Sequence, residues 1–355
     1  GAYIFTLGGL NITNSMFDDH TSSGLDIENN GFAQPVTLNN VSSSRNGYRG
    51  IEVYAFGNIM FINVNANNNS AAGAYLDNCR LSGSYCVGTG MVSITAPAPK
   101  FTSFSNNGSS GLSIYSGGPV TLTNVKTDYN STHGTSVYML YARLINLVDV
   151  NVSGAVTVSG AGVTSSFSYN GQGGWGRGLY IQSHGAINVT NADALHNNSY
   201  GFSLNNSGAA AAWPVNLTDL NAIGNIDYGV VVDATGAVNL KGVNSSDNNK
   251  LDGLIGHDWK VLDNLSHTLG PDTWRFTTTG AYTVNAALNS DYFDAYLVLM
   301  DANGSILISN DNGGGGTNAA ISGFSLTSAG TYILRVSAVD GKGGPYDLSL
   351  GAGTD

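Results

Sequence analysis

Apolar and polar residues alternate in short period-2 runs along the first two thirds of the chain, and the runs recur. Val36-Thr37-Leu38-Asn39-Asn40 leads, ten residues after its last Asn, to Gly50-Ile51-Glu52-Val53. The same offset joins Ile59–Asn63 to Gly73, Val120–Asn124 to Gly134 and Ile187–Asn191 to Gly201. An earlier copy begins at Leu10, a later one at Val215, and a degenerate one runs from Val238 to Gly253. A second Asn stands six residues after the first, at Asn46, Asn69, Asn130, Asn197 and Asn225, with His20 in that place in the first copy. Period-2 alternation predicts strands with the apolar side facing in, and the Asn/Gly clusters between them predict turns.

One repeat of about 23 residues cannot bury its own apolar face, so the copies are expected to stack as coils around a shared core. Strand spacing of about 4.8 Å sets the rise per coil and lays equivalent residues above one another. Asn14, Asn40, Asn63, Asn124 and Asn191 form one such column, continued by Asp149 and Asp219, and are expected to stack inward as an amide ladder. The Gly before each second strand fits either a positive φ or a close backbone approach. On these residues, the segment from residue 1 to about 258 resembles the right-handed parallel β-helix superfamily, which includes pectate lyases, polygalacturonases and phage tailspikes. The resemblance implies an all-β fold of about ten to eleven coils and says little about function.

The phase is lost after Trp259, dividing the chain into 1–260 and 261–355. Thr273–Thr277, Ala281–Leu288, Ala295–Met300, Ile306–Ser309, Ile321–Leu326, Gly330–Val336 and Pro345–Leu350 read as strands of a small antiparallel sandwich. Asp272-Thr-Trp-Arg-Phe276, Asp294 to Gly304, and Gly330-Thr-Tyr-Ile-Leu-Arg-Val336 are similar to bacterial pre-peptidase C-terminal (PPC-type) domains. That resemblance implies secretion and attachment rather than catalysis. The run Gly313–Gly316 departs from the pattern.

Composition narrows the function classes. Lys and Arg total 13 against 24 Asp and Glu, a net charge of −11, so no basic surface exists to displace counterions from nucleic acid. Only 10% of residues are charged and 48 are Gly, which disfavours helical bundles and βαβ enzymes, while 42% hydrophobic residues suffice for a large core. No apolar run is long enough to span a membrane, so no membrane insertion is expected. The start at Gly1 suggests a processed or excised segment. The strand-like Ala2–Leu7, with no helix ahead of it, leads to the expectation of a fragment or of a second copy covering that edge. Cys79 and Cys86 are the two cysteines, and their local spacing is read as a disulfide in a secreted chain, with buried free thiols as the alternative.

The candidate chemistry lies on outward positions of the strand after each Gly. They carry Asp26, Glu28, Glu52 and Asp77 toward one end and Tyr54, Tyr75, Tyr115, Tyr138 and Tyr180 along the length. Stacking places Glu52 between Asp26 and Tyr75, and Tyr54 between Glu28 and Asp77. Amphipathic rings on a polar face suit a glycan. Carboxylates on stacked coils also fall within reach of a hydrolase pair, while a solvated sheet supported by Tyr is the plain structural reading. The signatures of the resembled enzymes are missing as sets. Asp18-Asp19-His20 reads as a turn with His20 in the place of Asn, and Gly171-Gln-Gly-Gly-Trp-Gly176 reads as a loop despite its fingerprint spacing. The remaining histidines stand singly, without zinc spacing.

In the second segment Asp291, Asp294, Asp301, Asn303 and Asp311 supply oxygens that suit Ca²⁺, with hairpin turns as the alternative; no cofactor is required. Sequons at Asn68, Asn107, Asn130, Asn151 and Asn303 are glycosylation candidates, whereas Asn40, placed in the inward ladder, is not. These residues lead to an extracellular, non-catalytic surface protein serving adhesion, a surface layer or a fibre, with itself or a glycan as partner. A polysaccharide lyase or glycoside hydrolase on the acidic face is the first alternative. A carbohydrate-binding module of a larger exoprotein is the second.

Overall fold

Each repeat turns its first corner where the alternation is broken at one left-handed residue. In Val36–Ser42 the inward side chains are Val36, Leu38 and Val41, with Asn39 and Asn40 both exposed. Asn40 has φ 56°, and this left-handed residue adds one extra position, bends the strand and restores the inward phase at Val41. Asn14, Asn63, Asn124, Asn191 and Asp219 occupy the same corner with φ of 49–56°.

The computed structural model describes residues 1–351 except 80, 83–84, 87, 89, 139–153, 207–208, 210, 235, 247, 249–250, 256–258, 266–269 and 279. The fold is all-β, and no helix occurs among the described residues. Two long sheets face each other. The front sheet starts with Ala2–Thr6, Leu25–Asn29, Ile51–Ala55, Ala74–Asp77 and Leu112–Tyr115, in parallel pairing. The back sheet starts with Leu10–Met16, Val36–Ser42, Ile59–Ile62 and Val92–Thr95, also parallel. About eight regular turns, from Leu10 to Asp233, make a parallel β-solenoid. Val238–Ser246 with Leu251–Ile255, and then Trp259–Leu265 with Asp272–Thr278, continue the parallel pairing.

Those last two strands also begin the antiparallel part. Asp272–Thr278 pairs with Gly330–Ala338, which pairs with Ala295–Asp301 and, through it, with Ile306–Asn310, extending the front sheet. Trp259–Leu265 pairs with Gly344–Gly351, and Tyr282–Asn289 and Ala319–Leu326 follow, extending the back sheet. The seven strands expected after residue 270 are all present.

Between the sheets lies one continuous apolar core. It runs from Leu25, Ile27, Ile51 and Val53 through Leu112, Ile114, Leu179 and Ile181 to Trp274, Phe276 and Leu348. Each fully buried Leu, Ile or Val contributes roughly 1.5–3 kcal/mol of hydrophobic stabilisation.

The inward ladder is the second Asn row rather than the first. Asn46 Nδ2 and its backbone N–H donate to Asn69 Oδ1, both at 3.0 Å. The same double donation runs from Asn69 to Asn107, Asn107 to Asn130, Asn130 to Asn170, Asn170 to Asn197, and Asn197 to Asn225. His20 opens the row through its backbone N–H, which donates to Asn46 Oδ1 at 3.0 Å, so it replaces the turn Asn as expected. The first row does hydrogen-bond, Asn40 Nδ2 to Asn14 Oδ1 at 2.7 Å and Asn63 Nδ2 to Asn40 Oδ1 at 2.9 Å, but on the outside of the corner. The inward placement of Asn40 is therefore corrected, because the left-handed residue turns its side chain away from the core.

Cys79 and Cys86 form a disulfide at the edge of the insertion that follows Asn78. Gly171–Gly176 is a loop, with Gly171 and Gly174 at positive φ.

Candidate functional site

Constant offsets within the repeat bring the predicted outer-face residues into register. One row runs Tyr3, Asp26, Glu52, Tyr75, Ser113 across adjacent strands of the front sheet. The neighbouring row runs Phe5, Glu28, Tyr54, Asp77, Tyr115. Successive members stand about 4.8 Å apart, so the four acids and four tyrosines make one patch.

Arg49, just before Ile51–Ala55, organises the patch. Its Nη1 is ion-paired with Glu52 Oε1, and its Cζ lies 4.7 Å from the Tyr75 ring centroid and 5.3 Å from that of Tyr48. Tyr54 Oη donates to the same Glu52 oxygen at 2.7 Å. Glu52 is buried, at 8% exposure, and two donors neutralise it there. Tyr75 lies between Tyr54 and Tyr115, with ring centroids 5.8 and 5.4 Å away. Guanidinium and rings together hold a half-buried aromatic shelf in place.

The shelf alters proton affinities. Burial, and then the hydrogen bond to Glu52, push the Tyr54 phenol up to about 12. Burial and the Asp77 carboxylate raise those of Tyr75 and Tyr115. Tyr3 Oη donates to Glu28 Oε2 at 2.9 Å, and the Asn30 amide donates to Glu28 Oε1 at 3.0 Å. Burial first, then the charges of Glu52 and Glu28, hold the Asp26 carboxyl above the ordinary carboxylate range.

The rest of the expected tyrosine stripe divides. Tyr138 is in register between Tyr115 and Gln182, but its side chain lies outside the described residues. Tyr180 joins a second cluster with Arg177, Tyr200 and Tyr228. Arg49, Arg177, Tyr200 and Tyr228 all immediately precede the repeat Gly. That position, next to the strand but outside its alternation, was the signal that could have identified them.

Other candidates resolve locally. Asp18 accepts from Ser42 Oγ and the Ser44 N–H, both at 2.8 Å, and Arg45 bridges Asp18 and Asp19 at 3.3 and 2.7 Å, which makes this a tied turn. Asp301 Oδ1 accepts from the N–H groups of Asn303 and Ser305 at 2.9 and 2.8 Å, closing the hairpin and lowering the Asp301 carboxyl. Among the described residues no three Asp, Glu, His or Cys side chains converge as a metal site, so Asp291, Asp294, Asp301 and Asp311 are not brought together. Asn303 is exposed beside that turn.

Asn107 and Asn130, read as glycosylation candidates, are buried in the ladder at 1% and 0% exposure, and that reading is corrected because their amides are committed there. Asn68 and Asn40 are exposed, and Asn151 lies outside the described residues.

No protein-family profile and no curated protein matches the chain. Among solved structures it is similar to the pre-peptidase C-terminal domain of collagenase from Bacillus anthracis. The identity is 20%, over 27% of this chain and 91% of that one, with a TM-score of 0.25.

Proposed function

We propose that this chain is a non-catalytic extracellular scaffold, of the adhesive, surface-layer or fibre kind, whose front face contacts glycan. The observation that carries the reading is the Tyr75 ring, stacked on Arg49 and flanked by Tyr54 and Tyr115. Such a preorganised, half-buried shelf with phenolic and carboxylate edges suits the alternating apolar faces and hydroxyls of a sugar chain. Binding is favoured over catalysis because Glu52, the most enclosed acid of this patch, is already engaged by Arg49 and Tyr54. The Cys79–Cys86 disulfide supports an oxidising compartment. Glycan-array screening followed by calorimetry tests the reading, with Tyr75→Ala expected to weaken binding about tenfold. Absence of any glycan binding by the unmodified chain overturns it.

One observation favours a hydrolase or lyase as the second reading. Asp26 has a carboxyl raised by burial and by the neighbouring Glu52 and Glu28, and a raised carboxyl beside a second acid is an arrangement that acid–base pairs use. Reducing-end and unsaturated-product assays on a polysaccharide panel decide between the two, since turnover abolished by Asp26→Asn supports the enzyme.

A further inference from the structure

The outer face of the front sheet carries a second concave feature, further along the solenoid. A groove of about 450 Å³ is lined by Arg177, Tyr180, Tyr200, Ser203, Asn205 and Asp233 among others. Its floor is three adjacent strands, Leu179–Gln182, Phe202–Asn205 and Tyr228–Asp233, in parallel register. Arg177 stands at one end, with Cζ 4.4 Å from the Tyr180 ring centroid and 5.1 Å from that of Tyr200. Its backbone N–H donates to His133 Nδ1 at 3.2 Å, which ties the approach loop to the previous turn.

Arg177 differs from Arg49 in what it lacks. Its Nε is buried without a hydrogen-bond partner, and no ion pair joins it to a carboxylate among the described residues. Asp233, the acid lining the same groove, accepts from Asn205 Nδ2 at 3.2 Å. A partly desolvated guanidinium without an acceptor is costly, and its planar fork matches a carboxylate. Two tyrosine rings beside that fork offer an amphipathic wall to a pyranose.

We propose that this groove binds a carboxylate-bearing sugar residue of an acidic glycan, with the carboxylate on Arg177 and the sugar ring against Tyr180 and Tyr200. The assignment rests on the glycan reading for its ligand class, but it uses a different part of the face from Tyr75.

The test is calorimetric titration of the full chain with a uronic-acid tetrasaccharide and with its carboxyl-reduced, neutral counterpart. The acidic tetrasaccharide should bind at least about tenfold tighter, and Arg177→Gln should abolish that difference. Thr277→Glu, at an exposed position on the groove wall, keeps Arg177 in place and should weaken only the acidic ligand, which covers the case where Arg177→Gln fails to fold. Equal binding of the two ligands, or an unchanged preference in folded Arg177→Gln or in Thr277→Glu, overturns the Arg177 site and leaves the glycan reading standing. Binding of neither ligand overturns both.

Discussion

Tyr54 and Glu52, two residues apart on one strand, share a hydrogen bond of 2.7 Å in which the phenol donates to the carboxylate, while Arg49 grips the same oxygen. The tyrosine must therefore lose its proton in the presence of a negative charge it already stabilises. Its phenol is expected to ionise near pH 12, after most solvent-facing tyrosines. NMR titration of ring-labelled tyrosine, with Tyr54→Phe for assignment, measures this directly. Glu52→Gln should bring the value down, leaving the part due to burial. The folded value lies above the unfolded one, so the stabilisation is complete below pH 10 and fades as pH rises toward about 12. A Tyr54 titrating near 10 in the folded chain refutes the coupling.

Asp26 gives a second pH-dependent outcome, with the opposite practical sign at neutral pH. Burial, Glu52 and Glu28 all raise its carboxyl, and Arg49 only partly offsets them. Its contribution is favourable below the ordinary carboxylate range and is lost as pH climbs through its own higher value. Asp26→Asn should then stabilise the chain at pH 7 by about 0.5 kcal/mol and give no gain at pH 3, because the site is largely open to solvent screening. Thermal melts at the two pH values check it. Equal effects at both would show that charge is not the cause.

The register of this face was legible because the offset from corner Asn to Gly is constant, and any constant offset stacks equivalents. Asp26, Glu52 and Tyr75 had to meet once the coils stacked. The ladder was misplaced for a physical reason. Counting by twos from Leu38 puts Asn40 inside, and only its left-handed φ of 56° ends the count. The ladder roles of Asn107 and Asn170 were not legible because insertions stretch their ladder separations to 38 and 40 residues. Arg177 was not legible from the alternation because it stands just before the repeat Gly, outside the outward positions of the strand. The sandwich strands, by contrast, are short apolar-rich runs bounded by turns rich in Gly, Asn and Asp.

The buried ladder should dominate the polar contribution to solenoid stability. Asn130 Oδ1 accepts from both the backbone N–H and the amide of Asn107, each at 3.0 Å, at a site with no solvent. Asn130→Ala leaves both donors without an acceptor, at about 1–3 kcal/mol each, so a loss of about 2–6 kcal/mol is expected. Asn40→Gly, which keeps the left-handed corner and removes only exposed bonds, should cost less than about 1 kcal/mol. Urea unfolding at unchanged m-value separates the two. Similar losses would mean the inner row is no more important than the outer one.

The repeat Gly is the last element whose role the structure decides. Gly134 does not have a positive φ, so freedom of backbone conformation is not what requires it. A Cβ there would lie 2.6 Å from Gly178 O, 2.7 Å from Asn170 Nδ2 and 2.8 Å from Thr127 O. Two of these are backbone atoms of the solenoid and the third is a ladder amide, so none can yield cheaply. Gly134→Ala should cost about 3 kcal/mol or more, at the upper end of overpacking penalties. Gly8→Ala, where a Cβ meets nothing within 4 Å, should be neutral or stabilising by up to about 1 kcal/mol through the unfolded chain. Paired denaturation curves compare the two, and a Gly134→Ala variant as stable as Gly8→Ala would show that the coils can separate to admit a methyl group.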